Sequence, residues 1–220
     1  MRNYQVEITG IAPLLMHSDN IDWADQMGRW KDDASNRGKG KPGDDRTPAW
    51  RWLGSTYNDG QRVAMPSDNI MRALMEGGAM VPVPGGKSGK TFKAQSQSGM
   101  VVLDGFLPLL VNGRELAWAD LNALNGEDDF EVHQARTQAL GFSLFVKRTK
   151  IGTSKHIRVR PRFDQWSLTG KIGVWDEKLT SNVLQQIFDY AGDYKGLCDW
   201  RPGGKTPGAF GRFKATVKKV

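Results

Sequence analysis

The segment 142–165, FSLFVKRTKIGTSKHIRVRPRFDQ, alternates polar and apolar residues on both sides of a short turn rich in glycine, serine and threonine. A period of two is typical of β-strands, because successive strand residues point to opposite sides of the sheet. The segment holds seven basic residues and one acid, a net charge of +6 within an overall +7. We predict a protruding basic β-hairpin over 142–165. Its basic residues are Lys147, Arg148, Lys150, Lys155, Arg158, Arg160 and Arg162.

Three arginines of the second strand, Arg158, Arg160 and Arg162, fall on one face of that strand. They recur about every 6.6 Å in an extended chain, and each guanidinium can donate two hydrogen bonds to a phosphate group. The alternative is a solvated edge whose charges prevent aggregation, to which Pro161 is suited because it donates no ladder hydrogen bond. Since compensating acids are almost absent from the segment, we favour a surface that binds a polyanion.

The composition indicates an ordinary globular protein. A chain of 220 residues with 39% hydrophobic residues can bury a good core, and we favour a single domain over 1–220. The pI near 9.5 indicates a nucleic acid or another anionic partner. Cys198 is the only cysteine, which excludes an internal disulfide and a cysteine-based metal cluster and favours a cytoplasmic location. No apolar run is long enough to span a bilayer, and we predict neither a membrane partner nor a cofactor.

The segment 19–59 is predominantly polar, and its centre from Lys31 to Pro48 cannot bury enough apolar area to fold alone. We interpret 19–59 as an insertion loop. Tryptophans border it, and Trp50 and Trp52 flank Arg51 with a period of two, so that both rings could share one face. Bases of a single strand stack on exposed aromatic rings that lie beside cations. The alternative is that these tryptophans hold the loop against the body of the protein.

Helix and strand signals along the chain indicate its fold class. The segment 65–78, MPSDNIMRALMEGG, predicts a helix capped by Ser67 or Asp68, and a second helix is predicted with Thr180 or Ser181 as its cap. Strands are predicted at 4–9, at 99–111, in the hairpin, at 166–175 and at 209–217. This order favours an α+β protein with a ferredoxin-like (RRM-like) βαββαβ core and long insertions.

The segment 81–93, VPVPGGKSGKTFK, lacks the spacing of a phosphate-binding P-loop, because Pro84 stands where a glycine is required five residues before Gly89. Nucleotide hydrolysis is therefore not predicted. We interpret the segment as a basic loop whose lysines are available to bind phosphates. These lysines are Lys87, Lys90 and Lys93.

Short motifs spread along the chain resemble a family of phage and mobile-element proteins. They are ITGIAPLLMHS near the start, the tryptophan- and glycine-containing segment that ends at Tyr57, MPSDNIMRALMEGG, RVRPRFDQW, and AGDYKGLCDWRPGGKTPGAFGRF near the end. In architecture the chain is similar to the repeat-associated mysterious protein (RAMP) superfamily, which supplies the RNA-binding backbone subunits of class 1 CRISPR effector complexes. The resemblance implies a ferredoxin-like core, RNA as the ligand and copies assembled along the strand.

The resemblance also assigns 142–163 to the protruding hairpin of the superfamily and the C-terminal segment to its glycine-rich loop. Gly208 and Gly211 would let the backbone approach a phosphate closely. The stretch from Gly203 to Pro207 makes this loop longer than the compact loop expected for the family. The alternative is a turn next to the last strand. The cations of this loop are Arg201, Lys205 and Arg212.

We therefore predict a sequence-tolerant protein that binds single-stranded nucleic acid, with RNA favoured, and that oligomerises along the strand like a CRISPR effector backbone subunit. Two alternatives stay open: a phage protein that binds or anneals single-stranded DNA, and a metal-independent RNA endonuclease that uses His17, His133 or His156 as acid or base. We favour binding over catalysis, because no histidine has a recognisable partner. The predicted binding residues are Trp50, Arg51, Trp52, Lys87, Lys90, Lys93, Lys147, Arg148, Lys150, Lys155, Arg158, Arg160, Arg162, Arg201, Lys205, Gly208, Gly211 and Arg212.

Overall fold

The structure, a computed structural model, describes residues 1–85 and 89–220 and belongs to the predicted α+β class. The strands in these residues are β1 (Arg2–Gly10), β2 (Leu14–Leu15), β3 (Ala64–Pro66), β4 (Met100–Val102), β5 (Phe106–Val111), β6 (Arg114–Glu115), β7 (Ser143–Ile151), β8 (Ser154–Phe163), β9 (Trp166–Val174) and β10 (Phe213–Lys219). The α-helices are α1 (Ile21–Asp32), α2 (Ser67–Gly78), α3 (Lys93–Ser98), α4 (Trp118–Asn122), α5 (Phe130–Ala139) and α6 (Ser181–Tyr190). Two 3₁₀ helices, Ala34–Asn36 and Ala49–Ser55, and a π-helix, Ala191–Lys195, complete the helical segments.

The contacts within the chain divide it into two compact units. The first unit consists of Met1–Leu14, Ala64–Glu115 and Asp164–Val220. The second unit consists of Leu15–Val63 and Leu116–Phe163. Both units therefore combine segments that are distant in sequence, and the single domain over 1–220 stays a prediction.

The first unit is built on an antiparallel sheet with the strand order β10-β1-β9-β5-β3, to which β4 is added beside β9 and β6 beside β5. Tyr4, Val6 and Ile8 of β1 are buried and alternate with polar residues. Tyr4 lies opposite Ile172 of β9, and Ile8 lies opposite Leu168. Since opposite residues of an antiparallel pair point to the same side, these side chains form one apolar face of the sheet.

Helices α2 and α6 pack against each other in the first unit. The N-cap of α6 is Thr180, as predicted, and its side chain accepts a hydrogen bond from the backbone N–H of Val183. The N-cap of α2 is Pro66, which makes no side-chain hydrogen bond, so the cap predicted at Ser67 or Asp68 is wrong. No helix in the part of the chain that the structure describes is both long and apolar enough to cross a membrane.

The second unit contains the predicted basic hairpin, which β7 and β8 form as an antiparallel pair. Their register runs from Ser143 opposite Arg162 to Ile151 opposite Ser154, and leaves Gly152 and Thr153 as a two-residue turn. Gly152 has a φ of 59°, which suits the first central position of a type II′ turn. β2 pairs with the other edge of β8. The prediction of two strands joined by a short turn in this segment is confirmed.

Aromatic side chains form the core of the second unit around Trp52. The ring of Phe142 lies 5.9 Å from that of Trp52 and 4.9 Å from that of Phe163, centroid to centroid. The Nε1–H of Trp52 donates a hydrogen bond of 2.9 Å to Nδ1 of His133 on α5. The 3₁₀ helix that carries Trp52 is thereby tied both to the basic hairpin and to α5.

Helix α1 lies within the segment 19–59, which sequence analysis interpreted as an insertion loop without predicting a helix there. The side chain of its N-cap, Asn20, accepts a hydrogen bond of 3.3 Å from the backbone N–H of Trp23. None of the residues of α1 is fully buried. Its sequence is predominantly polar and lies in a polar stretch of the chain, which is why the sequence analysis interpreted it as part of a loop.

Gly77, near the C-terminal end of α2, provides a test of the packing in the first unit. A methyl group at Gly77 would lie 2.5 Å from the backbone carbonyl oxygen of Ile187 on α6. We expect Gly77→Ala to lower the free energy of unfolding by about 1–3 kcal/mol, because the helices must move apart. Gly28 of α1 has no atom within 4 Å of such a methyl group. Gly28→Ala should therefore raise the free energy of unfolding by about 0.5–1 kcal/mol. Urea denaturation of both variants measures the two changes, and equal values would contradict the observed packing.

Candidate nucleic-acid interface

The two faces of the basic hairpin hold different sets of cations. The register of β7 and β8 places Arg158 opposite Lys147, and Lys150 opposite Lys155. Since opposite residues share a face and neighbours along a strand alternate, the cations separate into two groups. The comb face carries Lys147, Arg158, Arg160 and Arg162. The open face carries Arg148, Lys150 and Lys155.

A buried carboxylate, that of Asp45, lies against the comb face. Asp45 is only 4% exposed. Its Oδ1 accepts a hydrogen bond of 2.9 Å from Nη1 of Arg158 and lies 3.2 Å from Nη1 of Arg51, while its Oδ2 lies 3.5 Å from Nη1 of Arg160. A buried charge needs such partners, because it has lost its hydration. Sequence analysis expected no compensating acid here, and for Arg158 and Arg160 this was wrong.

Backbone hydrogen bonds to β8 bring Asp45 to the comb face. The N–H of Ile157 donates to the carbonyl of Gly43 at 2.7 Å, and the N–H of Asp45 donates to the carbonyl of Ile157 at 3.0 Å. Gly43 has a φ of 81°, and a side chain at this position would collide with the ring of His156. The segment 43–45 therefore runs parallel to β8 for a short distance. This path favours glycine at position 43, because of the positive φ there and the nearby ring of His156.

The open face has no comparable acid. Arg148, Lys150 and Lys155 are all exposed, and the ion pairs among the described residues include none of the three. Lys150 and Lys155 stand directly opposite each other next to the turn. Like charges in this position destabilise a strand pair. An anionic ligand at the open face would remove that repulsion.

The predicted stacking of bases on Trp50 and Trp52 is wrong, because these side chains are buried, with 3% and 1% of their surface exposed. They lie on a 3₁₀ helix, whose three residues per turn place residues two apart on different faces. Trp50 packs against Trp23 with ring centroids 5.8 Å apart. The two rings hold this segment in the core of the second unit, as the alternative interpretation proposed. Arg51, between them, reaches Asp45.

The three histidines considered as acid or base residues have different surroundings, all within the second unit. His133 is fully buried; its Nδ1 accepts a hydrogen bond from Trp52, and its Nε2–H donates one of 2.9 Å to the backbone carbonyl of Glu127. Nε2 of His17 lies 3.1 Å from Nη2 of Arg160. His156 packs its Nδ1 against Gly43. Because both ring nitrogens of His133 are used within the core, its role is structural.

The glycine-rich C-terminal segment belongs to the first unit, and its contacts are internal. Arg201 donates two hydrogen bonds to Glu76 of α2, at 2.7 and 3.0 Å, and its side chain is 15% exposed. Gly211 has a φ of 70°, and a side chain there would collide with the backbone of Leu197. A side chain at Gly208 would collide with the backbone of Trp200. These glycines are thus required by the turn itself, which supports the alternative interpretation of the loop.

The other predicted cations of the first unit are exposed. Arg212 donates a hydrogen bond of 3.2 Å to the backbone carbonyl of Asp193. Lys205, Lys90 and Lys93 are exposed on their segments. Lys87 lies outside the described residues. The described part of the predicted set is therefore divided between the two units. Arg201, Arg212, the two glycines and the exposed lysines at 90, 93 and 205 belong to the first unit, and the hairpin cations with Arg51 belong to the second.

Sequence reasoning missed Asp45, because its two comb-face partners are 113 and 115 positions away in the chain. The acid stands in a polar stretch, where a solvated residue is the ordinary expectation. No periodic pattern relates such distant positions. Only the parallel pairing of 43–45 with β8 brings the charges together.

No protein-family model matches the chain, and a search of the curated proteins gives no match. Among the described residues, no group of three or more histidine, cysteine, aspartate or glutamate side chains is placed to hold a metal ion. The candidate interface therefore depends on its own geometry and charge.

Replacement of Asp45 tests whether its carboxylate holds the comb face. We expect Asp45→Asn to lower the free energy of unfolding by about 3 kcal/mol, because it leaves guanidinium groups partly buried without a counter-charge. The neighbouring Asp44 pairs with Arg46, whose side chain is 47% exposed. Asp44→Asn should cost less than Asp45→Asn, because the exposed guanidinium of Arg46 stays hydrated when the carboxylate is lost. Urea denaturation of the two variants gives the comparison, and equal costs would assign no special role to Asp45.

The pair of Glu76 and Arg201 predicts a pH dependence of stability in the first unit. Burial of Glu76 disfavours its charged form, but the hydrogen bonds and positive charges of Arg201 and Arg72 outweigh burial and lower the pKa of the Glu76 carboxyl. Because the pKa of Glu76 is lower in the folded state than in the unfolded state, its ionised carboxylate stabilises the folded state at pH values above the ordinary carboxyl pKa. This stabilisation is lost as the pH falls through the pKa of the folded state.

We therefore expect Glu76→Gln to reduce the free energy of unfolding by about 1–3 kcal/mol at neutral pH. The difference from the unsubstituted protein should shrink as the pH falls below about 4. Urea denaturation at several pH values measures it. Glu177 is exposed, and Glu177→Gln should change stability little at any pH. A Glu76→Gln deficit that persists at low pH would show that packing, and not charge, holds the pair.

Proposed function

We propose that the protein binds single-stranded nucleic acid through the open face of its basic hairpin, with RNA as the preferred ligand and little preference for sequence. The observation that carries this proposal is the exposed group of Arg148, Lys150 and Lys155, which has no acidic partner among the described residues. Cations without counter-charges attract a polyanion and gain from the counterions that it releases.

The geometry of the open face suits a phosphate backbone. Arg148 and Lys150 are two residues apart on β7 and lie about 7 Å from each other along the strand direction. Lys150 and Lys155 are a directly opposed cross-strand pair, with Cβ atoms about 5 Å apart. Three cations at these separations can contact successive phosphates of an extended chain. Phosphate contacts carry no sequence information, which supports sequence-tolerant binding.

The comb face contributes a wider positive field. Arg51, Arg158 and Arg160 all contact the carboxylate of Asp45. The four groups together therefore retain a positive charge, although each guanidinium is fixed in place. Fixed charges lose little conformational entropy when a ligand binds.

We also propose that the first unit has a ferredoxin-like core and that the chain is related to the RAMP superfamily. The connection order β1-α2-β5-β9-α6-β10, together with the sheet order β10-β1-β9-β5, supports the βαββαβ arrangement. The second unit is then an insertion at two places, between β1 and β3 and between β6 and β9. Under this relationship the ligand is RNA, and copies of the chain assemble along it.

Fluorescence anisotropy tests the proposed function with labelled single-stranded RNA, single-stranded DNA and duplex DNA of equal length, each at two salt concentrations. We expect tight, salt-sensitive binding to RNA, with several RNA sequences bound alike. Stoichiometry on RNA of increasing length, measured by mass photometry, should rise with length if copies assemble along the strand. A preference for single-stranded DNA would instead favour the annealing protein, and a lack of binding to all three would reject the proposal.

Substitution of the open face locates the binding site. We expect replacement of Arg148, Lys150 and Lys155 by alanine to weaken RNA binding and to reduce the slope of log affinity against log salt by about 2, at about 0.7 for each phosphate contact. The matched control replaces exposed cations of the first unit by alanine, at Arg114, Lys178 and Lys219. It removes the same charge and should leave the slope nearly unchanged. Equal effects of the two variants would show that net charge, and not the hairpin, determines binding.

A further inference from the structure

The second unit contains a cleft of about 680 Å³ that the proposed function does not use. Its walls are α1, the segment 38–47, Arg51 on the 3₁₀ helix and the start of β8. The volume lies within the range of about 300–1,000 Å³ that is typical of small-ligand sites. The walls supply both an apolar surface and several cations.

The apolar wall is formed by Met27 and Trp30, which stand three residues apart on α1 and so share a face of the helix. Trp30 is half-buried, and in the described part of the chain its ring stacks on no other aromatic ring. Trp23, on the same helix, differs because it packs against Trp50. Trp30 therefore lines the cleft with an aromatic side chain that is not stacked on another ring of the described residues, and aromatic side chains accept any nucleic-acid base.

The cationic wall is organised by the Asp45 carboxylate. Arg51 and Arg158 both line the cleft, and each directs its Nη1 to the same oxygen, Oδ1 of Asp45. A guanidinium carries five N–H donors, so most donors of both groups remain for a ligand. Their side chains are 32% and 28% exposed. Two guanidiniums held side by side by one oxygen form a fixed site for a phosphate group.

The remaining charges of the cleft do not cancel this potential. Lys31, Lys39 and Lys41 also line it, and the acid that lines it is Asp44. Asp44 is already engaged by Arg46, whose Nη2 lies 2.6 Å from its Oδ2. The hydrogen bonds and charge of Arg46 lower the pKa of the Asp44 carboxyl, although burial acts in the opposite direction. An anion that enters the cleft therefore meets an excess of cations.

We propose that this cleft binds one nucleotide unit, with the base on Trp30 and the phosphate on the N–H donors of Arg51 and Arg158 that Asp45 does not use. The inference rests on the proposed function in that the nucleotide belongs to the bound strand. A free mononucleotide offers the same chemistry of base and phosphate, and the experiment below separates the two sources.

Saturation-transfer difference NMR of the full chain with adenosine monophosphate, adenosine or inorganic phosphate tests the site. We expect adenosine monophosphate to bind more tightly than adenosine, with strong saturation of its base protons and competition by inorganic phosphate. Trp30→Ala should weaken binding of the mononucleotide by about tenfold, because it removes the stacking surface. Trp30→Phe should keep most of the affinity, since a ring remains. Arg51→Gln should abolish the preference for adenosine monophosphate over adenosine.

The matched control is Trp175→Ala, which removes a tryptophan that is 51% exposed in the first unit. It should leave mononucleotide binding unchanged. Failure of adenosine monophosphate to bind, or equal effects of Trp30→Ala and Trp175→Ala, would overturn the proposal. Thermal denaturation of each variant shows whether it has folded, and Trp30→Phe keeps the test valid if Trp30→Ala has not.

Photocrosslinking of RNA that contains 5-iodouridine identifies the source of the nucleotide. A crosslink mapped to Trp30 by mass spectrometry would support a strand that enters the cleft. Crosslinks confined to the hairpin, with adenosine monophosphate still bound, would overturn the assignment to the strand and identify a free nucleotide as the ligand. Loss of RNA binding in the open-face alanine variant, with mononucleotide binding retained, would show that the cleft and the open face act separately.

Discussion

The second unit depends on the carboxylate of Asp45. The basic hairpin carries alternating arginines on one face, and without a counter-charge those partly buried guanidiniums would repel one another. Asp45 accepts from Arg158 at 2.9 Å and approaches Arg51 and Arg160 within 3.5 Å. The single negative charge of Asp45 neutralises only part of the positive charge of the three arginines. The cluster of these four side chains is therefore held in place and still carries a net positive charge. The backbone of 43–45, paired with Ile157, fixes the carboxylate in that position.

The cations on the two faces of the hairpin differ in whether an acid of the protein contacts them. The comb face is occupied by Asp45 and by the segment that carries it. The open face keeps Arg148, Lys150 and Lys155 exposed, two of them as a like-charged cross-strand pair. A strand pair tolerates this repulsion when the rest of the hairpin is well packed. Here Leu144, Val159 and Phe163 are buried. The packing of these residues thus offsets the repulsion between the exposed cations, which remain available to bind an anion.

The first unit contains a turn whose sequence resembles a phosphate-binding loop but whose residues are engaged within the protein. Its C-terminal segment is rich in glycine and arginine, as a phosphate-binding loop is. Yet Arg201 is engaged by Glu76, and Gly208 and Gly211 are explained by close backbone contacts. Trp200, which has a φ of 48°, stacks on Phe210 with ring centroids 5.4 Å apart. The turn is held by these contacts and by the hydrogen bond from Gly211 to the carbonyl of Pro13.

The sequence by itself determined the elements whose signal is local. Alternation over 142–165 predicted the hairpin and the separation of Arg158 from Val159, and capping at Thr180 predicted the start of α6, because each pattern involves residues a few positions apart. Only the tertiary structure decided which cations are engaged and which are open. Asp45 meets the comb face, Trp52 enters the core beside His133, and Glu76 meets Arg201, all across more than eighty positions of sequence. Whether a side chain is buried or paired with an opposite charge depends on such distant neighbours. Patterns of residues close together in the sequence do not predict these contacts.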